Sequence, residues 1–300
     1  MVIKMKYWLE YKGHEPKKVK NSKVDNNIYT FDIEITSYLI LDEKQLDTLE
    51  YLKLNKKEQE RCKFQAVMYI WMFSINDIVY FGRTWEELAL FLYKVEQYIP
   101  NKKVVFVHNL GFEFQFLRNI FTFQNVFARK SHKVIKAEIL EFDIEFRCTL
   151  FMTNTKLEKL PKIYGLKTQK LVGNLDYSKI RTSETKLTTK ELNYCENDCL
   201  ILYEYIKKEL ELYNSIKKIP LTSTGHVRRE YRGKIITNYL YKYKVKKASN
   251  TDGHIYNLLV NAFMGGYTHA NWIFTDEIIK NVSSYDFTSS YPYVSCNDNT

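Results

Sequence analysis

The stretch Tyr29–Thr36, YTFDIEIT, sets the tightest constraint on this chain. Apart from Asp32 and Glu34, every residue in it is a β-former. Alternation along a strand puts the two acids on one face. Neighbouring carboxylates on a mostly apolar strand repel each other unless a cation lies between them or water covers them. The first arrangement is a metal site, since divalent ions take oxygen ligands of this kind. The second is an ordinary half-exposed strand. The other segments decide between them.

Three hundred residues suffice for one large domain or two ordinary ones. The formal charge of +10 favours a polyanionic partner, nucleic acid before an anionic membrane surface. With 24 Tyr and 18 Phe, aromatic rings can fill a core and still leave some for stacking. The N-terminus lacks a long apolar stretch, so it does not read as a signal peptide. No apolar run reaches the roughly 18–20 residues of a membrane span, so no membrane partner is expected. Five cysteines, an odd number without a secretory start, point to reduced thiols and a cytoplasmic setting. Cys195 and Cys199 fall one helical turn apart without a second ligand pair nearby, which suits buried helix thiols better than zinc.

Pattern and punctuation predict an α/β layer domain with a mixed sheet. Residues 1–28 read as an edge strand or arm and Tyr29–Ser37 as the first core strand. Residues 38–62 read as a loop or short helix over a sheet edge. Cys62–Ser74 is a nearly continuous apolar strand with a hairpin partner at Ile78–Gly82. Thr84 caps a helix to Tyr98, and Lys103–His108 is a buried strand leading into a helix from about Phe112 to Phe121. Strands near 124–129, 133–140 and 142–149 follow, then a short amphipathic helix at Leu157–Tyr164. The strongest helix starts at Thr188 or Thr189, with Glu191 completing a capping box, and runs to about Tyr213. Beyond residue 218 the character changes. Thr222–Lys247 is basic and helical, Ile255–Ala262 is a short helix, and Val282–Phe287 is a strand. The Arg228, Arg229, Arg232 and Lys234 cluster suits either phosphate contacts or a solvated face.

Asp32 and Glu34 find partners in two further segments. His108-Asn109-Leu110-Gly111-Phe112-Glu113 lies where a strand gives way to a helix, the usual place for ligands in open α/β sheets. Tyr194 and Asp198 share one face of the long helix. Four acids and a tyrosine from three separated segments make a workable two-metal site. Phe112, Phe116 and Leu157 equally suit a plain core.

These segments, in this order, resemble the three exonuclease motifs of family B DNA polymerases: D-x-E at Asp32 and Glu34, N-x-x-(F/Y)-D at Asn109–Glu113, and Y-x-x-x-D at Tyr194–Asp198. Phe263-Met264-Gly265-Gly266 resembles the Y-x-G-G linker, and Asp286–Pro292 resembles polymerase motif A, D-x-x-S-L-Y-P. This layout is that of the protein-primed branch, and the resemblance covers about residues 29–300. Departures are Glu113 in place of Asp and Lys156 in place of a hydroxyl residue before Leu157. The later motifs of the family, including Y-x-D-T-D-S, are absent.

The resemblance implies a ribonuclease-H-like exonuclease domain over 1–218, followed over 219–300 by a linker and an incomplete α+β polymerase palm. Asp32, Glu34, Glu113 and Asp198 would bind two Mg²⁺ or Mn²⁺ ions, with Tyr194 orienting the attacking water. Asn109, Phe112, Phe116 and Leu157 would hold a single-stranded 3′ end. Asp286 would bind the metals of nucleotidyl transfer, with Ser289, Ser290 and Tyr291 at the incoming nucleotide and Gly265 and Gly266 at the primer–template backbone. Implied partners are primer–template DNA, single-stranded 3′ ends, deoxynucleoside triphosphates and a terminal priming protein. The alternatives are a self-standing exonuclease whose second part only binds DNA, and a catalytically silent DNA-binding module.

Overall fold

The computed structural model describes residues 5–20, 22–46, 48–171, 176, 179–236, 239–248, 250, 252–262, 280–281 and 283. The chain divides into two compact units, Met1–Lys234 and Ile235–Thr300. Along the first come β1 (Lys6–Tyr7), β2 (Tyr29–Leu41), β3 (Lys44–Leu46), α1 (Thr48–Leu52), α2 (Lys56–Arg61), β4 (Lys63–Ile75), β5 (Ile78–Gly82) and α3 (Trp85–Tyr98). Then follow β6 (Lys103–Val107), α4 (Glu113–Leu117), β7 (Phe123–Ala128), β8 (Val134–Ile139), β9 (Ile144–Cys148), α5 (Thr149–Thr153), α6 (Leu160–Tyr164) and α7 (Thr189–Tyr213). α8 (Ser223–Ile236) spans the division, and α9 (Tyr239–Ala248) and α10 (Gly253–Ala262) belong to the second unit.

The strands form one mixed sheet in the order β1-β5-β4-β2-β6-β9-β8-β7, with β3 paired to the end of β2. At its centre β2, β6 and β9 are parallel, and antiparallel pairs flank them on both sides. A parallel centre must be covered on both faces, and β6 (KVVFV) is buried throughout. Its one charged residue, Lys103, is paired inside with Glu96 and donates to the carbonyls of Ile99 (3.0 Å) and Asn101 (3.1 Å), so the charge is not stranded.

Period-two alternation sorts the core into layers. Tyr29, Phe31 and Ile33 of β2 and Trp71, Phe73 and Ile75 of β4 face Leu88, Phe91, Leu92 and Val95 of α3. On the opposite face Ile70 and Met72 pack with Cys195 and Cys199 of α7, and Val104 and Phe106 with its Leu202, Tyr205 and Ile206. Both long helices start on capping boxes, one at the Thr84 cap and one at the Thr188–Glu191 pair read from the sequence. Thr84 accepts from the Glu87 N–H (3.2 Å) and Thr188 from the Glu191 N–H (3.3 Å). α7 ends on Asn214 in the left-handed region, φ 57°.

Two local expectations change. Residues 38–62 hold the short helices α1 and α2, but their first part is strand: β2 continues to Leu41, and Asp42 and Glu43, both at positive φ (46° and 68°), turn the chain into β3. The extension is held because Tyr38–Ile40 keep pairing with Lys63–Gln65 of β4. The helix expected to reach Phe121 stops at Leu117, whose carbonyl accepts from both Ile120 and Phe121 (3.0 and 2.9 Å) and closes the segment in turns. At the far end of the sheet, β7 pairs with β8 in a slipped register around Gln124–Ala128, Asn125 has φ 51°, and Val126 and Phe127 are exposed. No helix among the described residues is long and apolar enough to cross a membrane. The expected strand at Val282–Phe287 lies, apart from Ser283, outside the described residues.

Phe91 is fully buried with ring contacts to Tyr11 (5.4 Å), Trp71 (5.4 Å), Phe73 (5.5 Å) and Tyr80 (5.4 Å). Phe91→Ala is expected to lower unfolding free energy by about 3–5 kcal/mol, measured by urea denaturation. A loss under about 1 kcal/mol would mean this layer is not the main core.

Candidate active site

The site is assembled where α7 crosses β2. Thr30 fixes the crossing: its hydroxyl lies 2.7 Å from that of Ser74 on β4 and 3.2 Å from the Cys199 carbonyl on α7. Asp198 precedes that anchor by one residue, so it faces Asp32 and Glu34, which leave β2 on the same side as Thr30. Carboxylate oxygens of Asp32, Glu34 and Asp198 come within 4.8 Å of one another. The β2–β4 register shifts between Glu34 and Ile35, opposite Ile70 and Met68, leaving Tyr69 as the unpaired residue of a bulge. Bulges bend the strand and re-aim side chains, and this one flanks Glu34.

Glu113 completes the group from the first turn of α4. It is almost wholly buried, and its charge acts on Asp32. Burial is the main cause that raises all four acids above the ordinary carboxylate range. For Asp32, the charges of Glu34, Asp198 and Glu113 add to it. Glu34 is pushed up to about 8 by burial and Asp198, and Glu113 to about 8 by burial and Glu34. Asp198 is raised by burial, and Lys170 partly offsets the rise.

Two cations frame the acids. Lys170 Nζ donates to Asp198 Oδ2 (2.8 Å) and lies 5.3 Å from the Tyr194 ring centroid. Burial works against its charge, but Asp198, Asp32 and Glu34 more than compensate, and its pKa rises. Arg181 holds the other flank. Its Nε and Nη2 donate to Glu191 Oε1 (2.8 and 2.6 Å), and its backbone N–H donates to Thr36 Oγ1 (3.0 Å).

Glu113 Oε2 and Asp198 Oδ1 are buried without a hydrogen-bond partner. Orphaned carboxylate oxygens are costly unless a cation takes them. This donor set, all hard oxygen, fits a divalent ion such as Mg²⁺, Mn²⁺ or Ca²⁺.

The loop after β6 leads into Glu113. His108 Nδ1 and Thr149 Oγ1 are 3.0 Å apart, and Thr149 donates to the Val107 carbonyl (3.3 Å). With the hydroxyl proton committed, Nδ1–H is the donor and Nε2 is left as an acceptor. Burial, and then Lys170, lowers the His108 pKa to about 4, so the ring is neutral at neutral pH. Asn109 turns the chain at φ 66°, its carbonyl accepting from the Phe112 N–H (2.8 Å). A Cβ at Gly111 would lie 2.1 Å from the His132 carbonyl oxygen, so only glycine lets the β7–β8 turn sit there. Phe112 is exposed and stacks obliquely on Phe116 at 5.4 Å. Leu157 packs, half buried, on the cluster beneath α7.

The structure therefore brings together Asp32, Glu34, Glu113 and Asp198, with Tyr194 one lysine away. Asp286, Ser289, Ser290, Tyr291, Gly265 and Gly266 lie outside the described residues. Sequence reasoning missed Lys170 and Arg181. The only signal for them is that a buried acid cluster demands counter-charge and that a lysine-rich loop leads into α7. Nothing in spacing marks which cations turn inward.

Residues 171–299 match the family described as DNA polymerase type B, organellar and viral. No curated protein matches the chain in sequence. Among solved structures, phi29 DNA polymerase complexed with primer-template DNA and incoming nucleotide substrates is similar with a TM-score of 0.56 and 17% identity, over 84% of this chain and 41% of that one. The same polymerase complexed with single-stranded DNA gives 0.55 and 17%, over 84% and 42%. Its post-translocation binary complex with primer-template DNA gives 0.56 and 16%, over 83% and 41%. This chain thus spans well under half the length of the polymerase it matches. The mixed α/β architecture expected from the sequence is the one these structures share. Residues 171–299 thus resemble the type B DNA polymerases of organelles and viruses, and the fold of the chain is similar to that of phi29 DNA polymerase over most of its length.

Proposed function

We propose that residues 1–218 are the 3′–5′ exonuclease of a protein-primed type B DNA polymerase, and that residues 219–300 carry the linker and the start of its palm. The observation that carries this reading is the convergence of the Asp32, Glu34 and Asp198 carboxylates from β2 and α7, with buried Glu113 of α4 acting electrostatically on Asp32, and with orphaned oxygens on Glu113 and Asp198, in a chain with this fold. Asp32, Glu34, Glu113 and Asp198 would hold two Mg²⁺ or Mn²⁺ ions, which supply an activated water and stabilise the departing 3′ oxygen. Around them the chain's own groups bind and orient. Lys170 fixes the Asp198 carboxylate and offsets the local negative charge. Tyr194, beside Lys170, orients the attacking water. Asn109, Phe112, Phe116 and Leu157 hold the last nucleotides by hydrogen bonding and stacking. Neutral His108 presents Nε2 as an acceptor and adds no positive charge. In the second part, Asp286 with Ser289, Ser290 and Tyr291 would serve the incoming deoxynucleotide, and Gly265 and Gly266 the primer–template. The partners are then primer–template DNA, single-stranded 3′ ends, deoxynucleoside triphosphates and a terminal priming protein.

With Mg²⁺ or Mn²⁺ the chain is expected to release nucleoside monophosphates from single-stranded 3′ ends, and Asp32→Ala with Glu34→Ala to abolish release. No release in either metal, or an undiminished rate in the double variant, sinks the assignment. Lys170→Met should slow release by about 10²-fold through misplacement of Asp198. Glu113→Asp should retain or raise the rate; complete loss would mean the site is built around the longer side chain.

Metal binding should also depend on pH. Acids raised to about 8 in the fold bind more protons than the unfolded chain above its ordinary carboxylate pKa, roughly 4. Stability of the metal-free chain therefore falls as pH rises from there to about 8 and then levels. Lys170 and Arg181 lessen this trend without cancelling it, since the net shifts remain upward. Divalent ions compete with those protons, so the rise in melting temperature on adding Mn²⁺ is expected to be larger at pH 8 than at pH 5. An equal rise at both would show that these carboxylates do not hold the ion.

A further inference from the structure

Beside the carboxylate cluster, one strongly basic groove has no role in the chemistry described so far. It has a volume of about 540 Å³ and lies between the β7–β8 turn, with Arg129, Lys130 and Lys133, and the segment leaving α5, with Phe151, Asn154 and Lys156. Lys130 also lines a second depression of about 480 Å³ on the other side of the same turn, together with Arg118. Arg129, Lys130, Lys133 and Lys156 are all exposed. Among the described residues no ion pair engages any of the four, whereas Lys136, three residues past the turn, is tied to Glu138 (2.7 Å) and Glu145 (3.2 Å).

The turn is held in a fixed place. Its backbone closes through Arg129 N–H to the Lys133 carbonyl and Lys133 N–H to the Lys130 carbonyl (both 3.0 Å). Its His132 carbonyl sits against Gly111, two residues before Glu113. The opposite wall runs directly into Leu157. Both walls thus lead from the groove to segments bearing the residues assigned to the strand end. Four unpaired cations with a half-buried phenylalanine are the combination that binds single strands, phosphates on the charges and a base on the ring. The volume suits a nucleotide or two and is far too small for a duplex.

We propose that this groove binds the phosphate backbone of single-stranded DNA just upstream of the 3′ end held at the carboxylates. This deepens the exonuclease reading and rests on it for direction. The test is fluorescence anisotropy of a labelled single-stranded oligonucleotide of about 12 residues with the full chain in EDTA, where no hydrolysis occurs. Salt is varied between about 50 and 200 mM. Arg129→Gln/Lys130→Gln/Lys133→Gln should weaken binding about tenfold or more. It should also make the log–log salt dependence shallower by about 2, because each phosphate neutralised by a cation adds about 0.7 to that slope on a single strand. Lys156→Gln, on the other wall, should do the same in smaller measure, and Lys217→Gln/Lys218→Gln should do neither. An unaltered melting temperature identifies the loss as one of binding. Affinity and salt slope unchanged in the triple variant, or no binding by the unaltered chain, overturns the proposal. Displacement of the oligonucleotide by polyglutamate at equal charge also overturns it, because the groove would then be a dock for acidic protein. Weakened binding in the variants of a chain that releases no nucleotide would leave the groove standing and remove the exonuclease reading.

Discussion

Asp32, Glu34, Glu113 and Asp198 crowd a space where burial already disfavours charge, and mutual repulsion adds to the cost for Asp32, Glu34 and Glu113. Repulsion of this kind would open a loosely built site. Here it is met in three ways: protons taken up at unusually high pH, one lysine placed directly on Asp198, and an arginine at the flank of Glu34. The compensation is incomplete by construction. Two carboxylate oxygens stay unpaired, a residue of unsatisfied charge that a divalent ion would satisfy.

The strain is contained by a scaffold that is apolar nearly everywhere else. β6 is buried end to end, α3 seals one face with four apolar residues, and α7 seals the other. Against that background the Thr30–Ser74–Cys199 contact is a polar fixture between sheet and helix at the level of the acids. Slippage of α7 by one residue would turn Asp198 by about 100° away from β2, so this fixture couples the register of the helix to the composition of the site. The bulge at Tyr69 does comparable work on the strand side, because it offsets the ladder by one residue next to Glu34 before pairing resumes at Ile35 and Met68.

Much of this was legible in the sequence, for physical reasons that can be named. The caps at Thr84 and Thr188 are local and announced both helices. The apolar runs of β4 and β6 announced central strands. The three acid-bearing segments announced a site because carboxylates embedded in β-forming or helix-forming stretches need an explanation. What escaped depends on contacts between segments distant in sequence. Lys170 and Arg181 come from a loop without periodicity, and only the folded chain shows which cations turn inward. The bulge at Tyr69 follows from a mismatch between two strands, neither of which reveals it alone. The extension of β2 to Leu41 was masked by the charged residues that follow, although its own alternation continues. The short α4 was overread because Phe112–Phe121 has helical spacing beyond the point where the chain turns toward β7.

The last strand has a further consequence. β7 ends the sheet at one side with Val126 and Phe127 exposed. A straight strand in that position would offer a row of free backbone donors and acceptors to another copy of the chain, the usual start of edge-to-edge aggregation. β7 is not straight: its register slips and Asn125 takes a left-handed conformation. The irregularity breaks the template, and the cationic turn that follows adds like-charge repulsion between copies. The bent edge is thus a poor template for a second copy, although it keeps an exposed aromatic surface.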